Sequence, residues 1–132
     1  MLSIEWTATD GWHPPQITPY QNLSLDPATC VFHYAFECFE GMKAYRDAKG
    51  RVRLFRPDRN MERFNKSAAR IALPTFDSSA LIQLISRLVY IDDRFIPRYV
   101  HVPNIAHREY PKLAARSVPR PTNVQTCQLK IN

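Results

Sequence analysis

The sequence predicts an α+β fold, and three observations predict it. The amino terminus alternates apolar and polar residues, residues 42–55 carry a hairpin signal, and two helical stripes of apolar residues follow before Pro97. The expected arrangement is an antiparallel sheet with two helices in one small domain, followed by an irregular tail.

Leu2-Ser3-Ile4-Glu5-Trp6 has the period of two expected of a half-buried strand. The stretch from Gly11 to Pro19 holds three prolines and reads as a loop or extended segment. Leu23-Ser24-Leu25 suggests a short strand closed by the turn-forming pair Asp26-Pro27. From Val31 to Tyr45 the chain is apolar and aromatic. Phe32, Tyr34, Phe36 and Cys38 alternate, yet Ala35, Phe36 and Phe39 also suit one face of a short helix, and periodicity does not separate the two.

Met42-Lys43-Ala44-Tyr45 reads as a strand, Asp47-Ala48-Lys49-Gly50 as a turn, and Arg51-Val52-Arg53-Leu54-Phe55 as the returning strand. Gly50 suits the turn because it takes positive φ without a steric penalty. Pro57-Asp58 then opens a helix, with Asp58 as the expected cap. Met61, Phe64, Ala68 and Ile71 form its apolar stripe, and Arg63, Lys66 and Arg70 lie off it. Pro74 separates this helix from the next, which Asp77 or Ser78 caps. There Leu81, Leu84, Ile85, Leu88 and Ile91 form the second stripe.

Charge divides the chain at the same point as periodicity does. Residues 1–97 carry 12 Lys and Arg against 11 Asp and Glu, whereas residues 98–132 carry 6 against one. With Pro103, Pro111, Pro119 and Pro121, the second part reads as a basic, Pro-rich, poorly ordered tail, and residues 1–97 as the folded domain. The tail lacks the stacking pattern of a nucleic-acid module, so no nucleic-acid partner is expected. No apolar run approaches the ~18 residues that span a bilayer, so no membrane segment is expected. No signal or transit peptide is visible, which points to a cytoplasmic or mitochondrial protein. Cys30, Cys38 and Cys127 are odd in number and irregularly spaced, so neither a disulfide framework nor a metal site is expected.

Two segments carry a resemblance. His33-Tyr34-Ala35-Phe36-Glu37-Cys38-Phe39-Glu40-Gly41-Met42-Lys43-Ala44-Tyr45-Arg46 is followed by Arg53-Leu54-Phe55-Arg56-Pro57-Asp58-Arg59-Asn60-Met61-Glu62-Arg63-Phe64. Together with Gln21 to Pro27, Ser67 to Arg70 and Leu73-Pro74, they closely resemble the small domain of branched-chain amino-acid aminotransferases. The similarity runs from about Met1 to Pro97.

The resemblance implies a fold-type IV enzyme that uses pyridoxal 5′-phosphate (PLP). Such an enzyme moves an amino group between leucine, isoleucine or valine and 2-oxoglutarate, usually as a homodimer. It implies that Arg63 holds the PLP phosphate, a role suited to a planar, permanently charged, bidentate donor. On helical position alone Arg63 reads as a solvated surface arginine. Tyr34 and Phe39 match aromatic residues lining the substrate side-chain pocket; without the resemblance, both read as core packing. Glu37, Glu40 and Lys43 read as structural ion-pair residues, His33 as a core or hydrogen-bonding histidine, and Gly41 as a site of close approach or unusual φ.

Parts of the family pattern are missing. The lysine that forms the Schiff base with PLP belongs to the family's large domain, and Lys43, Lys49, Lys66, Lys112 and Lys130 stand in other contexts, so no catalytic residue is assigned. A Tyr-x-Arg-Pro segment that helps bind the substrate carboxylate is expected soon after Pro97, where Tyr99-Val100-His101-Val102-Pro103 stands instead. The family's first strand, ahead of Met1, is also missing. The expectation is an incomplete small domain, inactive alone; a non-catalytic dimerisation or binding module derived from it is the alternative.

Overall fold

A computed structural model describes residues 1–96. The expectations for Pro97 and for the tail 98–132 lie outside these residues. Strands β1 (Leu2–Ser3), β2 (Trp6–Thr7), β3 (Gly11–Trp12) and β4 (Gln16–Ile17) come first, then the short helix α1 (Cys30–Tyr34). Strands β5 (Ala44–Arg46) and β6 (Val52–Leu54) precede helices α2 (Pro57–Arg70) and α3 (Ser78–Ile91), and a 3₁₀ turn at Asp93–Phe95 closes the described part. The fold is α+β as expected, but its strands form three separate two-stranded antiparallel ladders rather than one sheet.

The first two ladders are one hairpin interrupted in the middle. β1 pairs with β4 through Leu2 opposite Ile17, and β2 with β3 through Trp6 opposite Trp12. Two residues separate β1 from β2, but three separate β3 from β4, so one residue is extra on the returning side. Pro14 and Pro15 fall there and have no N–H to donate to a ladder, which explains the break. The His13 N–H donates to the Glu5 carbonyl at 2.8 Å inside the gap. The segment from Gly11 to Pro19, expected as a loop or extended segment, is the second, extended arm of this hairpin, and the expected single strand Leu2–Trp6 is split. Leu23–Leu25 forms no strand. Every residue from Pro19 to Leu23 is exposed, and no chain pairs alongside them.

The second hairpin follows its sequence signal closely. Ala44, Tyr45 and Arg46 stand opposite Leu54, Arg53 and Val52. Met42, Ala44, Val52 and Leu54 pack on the core, while Tyr45 and Arg53 face outward. Gly50 takes φ 78°, and the Asp47 carboxylate organises the turn. Its Oδ1 accepts the Lys49 and Arg51 N–H groups, each at 2.9 Å, and its Oδ2 accepts Arg51 Nε at 3.1 Å and Arg53 Nε at 3.2 Å. The Arg51 N–H foremost, then the Arg53 and Arg51 side chains and the Lys49 N–H, lower its pKa from 3.8 to about 2.

A folded pKa below the unfolded one stabilises the hairpin above the unfolded value, and the effect is lost as pH falls through the folded value. The Asp47 carboxyl carbon should therefore titrate by NMR with a midpoint near 2, the turn amides loosening between pH 3.8 and that point. A midpoint at 3.8 would show that these hydrogen bonds are not held in solution.

Helix α2 starts at Pro57, whose fixed φ suits a first helical position. Its N-cap is Arg56 in the left-handed region at φ 47°, with no side-chain cap, and Asp58 lies in the first turn, where a carboxylate still favours the helix dipole. Asp58 is therefore not the cap expected from the sequence. At the other end Leu73 N–H reaches the Ala68 carbonyl at 2.9 Å and Ala72 N–H the Ala69 carbonyl at 3.2 Å, a Schellman closure with Ala72 at φ 57°. An alanine there is strained by its Cβ. Ala72→Gly should raise stability by about 0.5–1 kcal/mol, the loss of strain exceeding the added freedom of the unfolded chain. A urea midpoint that falls on this substitution would contradict the left-handed closure.

Helix α3 is capped as expected: Asp77 Oδ1 accepts the Ser79 N–H at 2.7 Å and the Ala80 N–H at 3.0 Å. Met61 from α2, Leu81, Ile85, Leu88 and Val89 from α3, Leu2 from β1 and Ile96 form the buried core. Ile91, expected on the α3 stripe, is 50% exposed, and Val89 occupies the core instead. Asn65 fastens α2 to the link before α3: its amide donates to the Phe76 carbonyl at 3.0 Å and accepts the Phe76 N–H at 2.9 Å. Arg46 bonds Asp93 twice at 2.9 Å and ties the second hairpin to the last turn.

Candidate anion site on helix α2

Arg63 leaves the solvent side of α2, two residues after the buried Met61. Its guanidinium meets the carboxylate of Glu40 with two bonds, Nη2 to Oε1 at 2.6 Å and Nε to Oε2 at 3.2 Å. This is the fork-to-fork geometry that a planar guanidinium and a carboxylate favour. The two side chains differ in exposure: 60% for Arg63 and 13% for Glu40. Asn60, one turn earlier on α2 and buried, donates both amide hydrogens inward, to Glu40 Oε1 at 2.8 Å and to the Gly41 carbonyl at 2.8 Å. The Arg63 hydrogen bond above all, together with Asn60, the Arg63 charge and the Gly41 N–H, holds the Glu40 carboxyl below its ordinary pKa against the opposing effect of burial.

Arg63 lines an open groove between the second hairpin and α2. Lys43, Arg56, Arg59, Arg63 and Lys66 line it together with Asp47, Glu62 and the apolar Met42, Leu54, Phe55 and Ile96, so its walls combine apolar surface with an excess of cationic side chains. Arg56, Arg59, Arg63, Lys66 and Arg70 recur at alternate intervals of three and four along α2, which places them on one face. Part of that charge is already answered: Arg59 bonds Glu62 at 2.7 Å, and Arg53 bonds Asp47 at 3.2 Å.

A guanidinium has five N–H groups on two usable edges. Glu40 takes one hydrogen from Nε and one from Nη2, so the edge formed by Nη1 and Nη2 remains for a second anion. The donor set thus fits a phosphate ester, with Glu40 set on the far side of the cation.

The other residues singled out by sequence fare differently. Phe39 is 85% exposed and directly precedes Glu40, so it adjoins the arginine pair. Tyr34 ends α1, is 80% exposed, and its ring meets that of His33 edge-on at 6.3 Å. Neither ring is packed in the core, which removes the reading of both as core residues. The structure brings Arg63 close to the Phe39 segment; it shows no ring contact from Tyr34 to either. His33 is also exposed, and its Nε2 donates to the Pro27 carbonyl at 2.8 Å.

Of the three charged residues in this segment, Glu40 forms the ion pair, and neither Glu37 nor Lys43 forms one among the described residues. Gly41 has no positive φ, and a Cβ there would meet only the Phe39 ring at 3.9 Å, an ordinary contact. Neither reason expected for this glycine holds among the described residues. The residue missed by sequence reasoning is Asn60. Its signal was a poor helix former set beside the apolar stripe, where a side chain must find partners inside.

Comparison with known proteins agrees with the motifs. Over 98 residues the chain is 58% identical to the mitochondrial branched-chain-amino-acid aminotransferase of Saccharomyces cerevisiae, an alignment covering 74% of this chain and 25% of that protein. It is 61% identical over 97 residues to the cytosolic enzyme of the same yeast, covering 74% and 26%. It is 47% identical over 116 residues to the branched-chain-amino-acid aminotransferase of Monosiga brevicollis, covering 83% and 30%. No protein-family model matches the chain. Each of these relatives is an aminotransferase by name. More particularly, about three quarters of the chain is similar to branched-chain-amino-acid aminotransferases, and the chain spans about a quarter of the length of the curated relatives it matches.

Proposed function

We propose that this chain supplies the phosphate-holding and part of the substrate-holding wall of a PLP-dependent branched-chain aminotransferase. The whole enzyme exchanges an amino group between leucine, isoleucine or valine and 2-oxoglutarate, and works as a homodimer. The observation that carries the reading is the Arg63 guanidinium on the groove, one edge clasped by Glu40 and the other open. Arg63 would hold the phosphate of PLP through that open edge. Tyr34 and Phe39 would face the branched side chain of the substrate, where apolar rings exclude water and favour aliphatic groups. When bound, PLP supplies the electron sink for amino transfer.

The lysine that bonds the cofactor in such enzymes is assigned to no lysine of this sequence, so the chain alone should not transaminate. Among the described residues no helix is long and apolar enough to cross a membrane. We place the protein in the cytosol or the mitochondrion, the compartments named for its yeast relatives.

Titration of the chain with PLP and with pyridoxal, which lacks the phosphate, tests the reading. PLP should bind more tightly, and equal affinity would overturn the phosphate role. Leucine-dependent amino transfer to 2-oxoglutarate by the purified chain would overturn its predicted inactivity.

A second reading, a non-catalytic dimerisation or binding module, is favoured by one observation. Phe32, Tyr34, Phe36 and Phe39 are 60, 80, 44 and 85% exposed along one short segment. Aromatic surface of this kind is usually covered by a partner. Co-purification with a full-length branched-chain aminotransferase would support it, and a chain that stays monomeric beside that enzyme would count against it.

A further inference from the structure

We propose that Glu40 and Asn60 are positioning residues that hold Arg63 with its outer edge turned to the phosphate. The inference rests on the reading of Arg63 given above and goes beyond it. A long arginine side chain that is mostly exposed samples many rotamers, and binding an anion requires it to settle in one. Here it is settled in advance. Glu40 fixes the plane of the guanidinium through two bonds on the Nε–Nη2 edge, at 3.2 and 2.6 Å. Glu40 is in turn fixed by Asn60, which is 7% exposed. The second amide hydrogen of Asn60 goes to the Gly41 carbonyl, so the same side chain pins the backbone on the far side of Glu40. Both amide donors of Asn60 are used, one on Glu40 itself and one on the backbone beside it.

The carboxylate has two opposed effects on a bound phosphate. Its charge repels the phosphate, and its grip preorganises the arginine. Repulsion across a guanidinium that lies between the two anions is reduced by the cation itself. The saved ordering of Arg63 is retained in full, as it is whenever a binding group is fixed before its ligand arrives. Preorganisation therefore outweighs repulsion. Removing the carboxylate should weaken phosphate binding rather than strengthen it.

The test is a double-mutant cycle on the full 132-residue chain, with the dissociation constants of PLP and of pyridoxal measured for each folded variant by tryptophan fluorescence. Glu40→Ala and Asn60→Ala should each weaken PLP binding roughly fivefold to tenfold, with Glu40→Gln intermediate. Pyridoxal binding should not change. In an Arg63→Ala background, Glu40→Ala should have no further effect, because its influence passes through the missing guanidinium. If Glu40→Ala fails to fold, Glu40→Gln and Asn60→Ala carry the same comparison.

Unchanged or tighter PLP binding in the Glu40 variants, while Arg63→Ala still weakens it, would overturn the positioning role and leave the arginine reading intact. Weakening that adds in full to that of Arg63→Ala would also overturn it. No effect of Arg63→Ala on PLP would instead remove the arginine reading, and this inference with it.

Discussion

Leu81→Ala should lower the stability of the folded domain by about 2–5 kcal/mol, a large part of the ~5–15 kcal/mol that holds an ordinary domain together. Leu81 stands on the first full turn of α3 and is 3% exposed, within the cluster that also contains Met61, Ile85, Leu88 and Leu2. Truncation removes the transfer free energy of its terminal carbons. It also leaves a cavity that two helices and a short strand cannot easily collapse into. The measurement is the urea midpoint followed by far-ultraviolet circular dichroism, with Ile91→Ala as the control. Ile91 is 50% exposed, and its truncation should stay within about 0.5 kcal/mol of the parent. Equal losses at the two positions would mean that the α3 stripe read from the sequence, with Ile91 in it, describes the molecule better than the observed packing does.

That contrast shows where sequence reading stops. A period of three and four places Leu81, Leu84, Ile85, Leu88 and Ile91 on one arc, but the partner decides which end of the arc is covered. Packing in the core covers Val89 and leaves Ile91 wet. The second hairpin was legible almost residue by residue, because alternation on both arms and Gly50 in the turn agree on one register. The first hairpin was legible only on its outgoing arm. Its returning arm contains Pro14 and Pro15, which read locally as loop, and only pairing with the other arm makes Gly11–Trp12 and Gln16–Ile17 strands. At the start of α2 the proline was read correctly and the cap was not. Arg56 enters the helix through a left-handed conformation, which a propensity-based reading does not anticipate for arginine.

The site follows the same division. Arg63 was visible by its place in the motif, and Glu40 as an ion-pair residue by its charge and company. Their pairing joins residues 23 positions apart and depends on how the 39–41 segment lies against α2, which no local pattern encodes. Asn60 was missed for a related reason: a polar side chain in a helix looks exposed until the structure shows the Glu40 carboxylate and the Gly41 carbonyl within its reach. Exposure of Tyr34 and Phe39 was the reverse surprise. Large rings in an apolar run suggest a core, yet both stand in solvent among the described residues.

Arg63→Ala should raise the dissociation constant for PLP on the order of 10- to 100-fold while leaving pyridoxal nearly unaffected, because charge-assisted hydrogen bonds contribute about 1.5–3 kcal/mol each. Arg63→Lys separates charge from geometry. Lysine keeps the positive charge, but its ammonium is a point donor that cannot present one flat edge to Glu40 and another to a phosphate. Its loss should therefore lie between the parent and alanine, closer to alanine the more the forked geometry matters. Both variants should remain folded, since an ion pair whose arginine is 60% exposed is screened by solvent and adds little to stability. Their Glu40 carboxyl should titrate at higher pH than the parent's, because its largest lowering influence is the Arg63 hydrogen bond. In the parent that depressed pKa adds stability above the unfolded value of 4.5, and this is lost as pH falls through the folded value. In Arg63→Ala the acid limb of the stability curve should be flatter. An alanine variant that still preferred PLP to pyridoxal as the parent does, while its Glu40 titration had moved up, would place the phosphate elsewhere on the cationic groove, with Arg56, Arg59 and Lys66 the residues to test next.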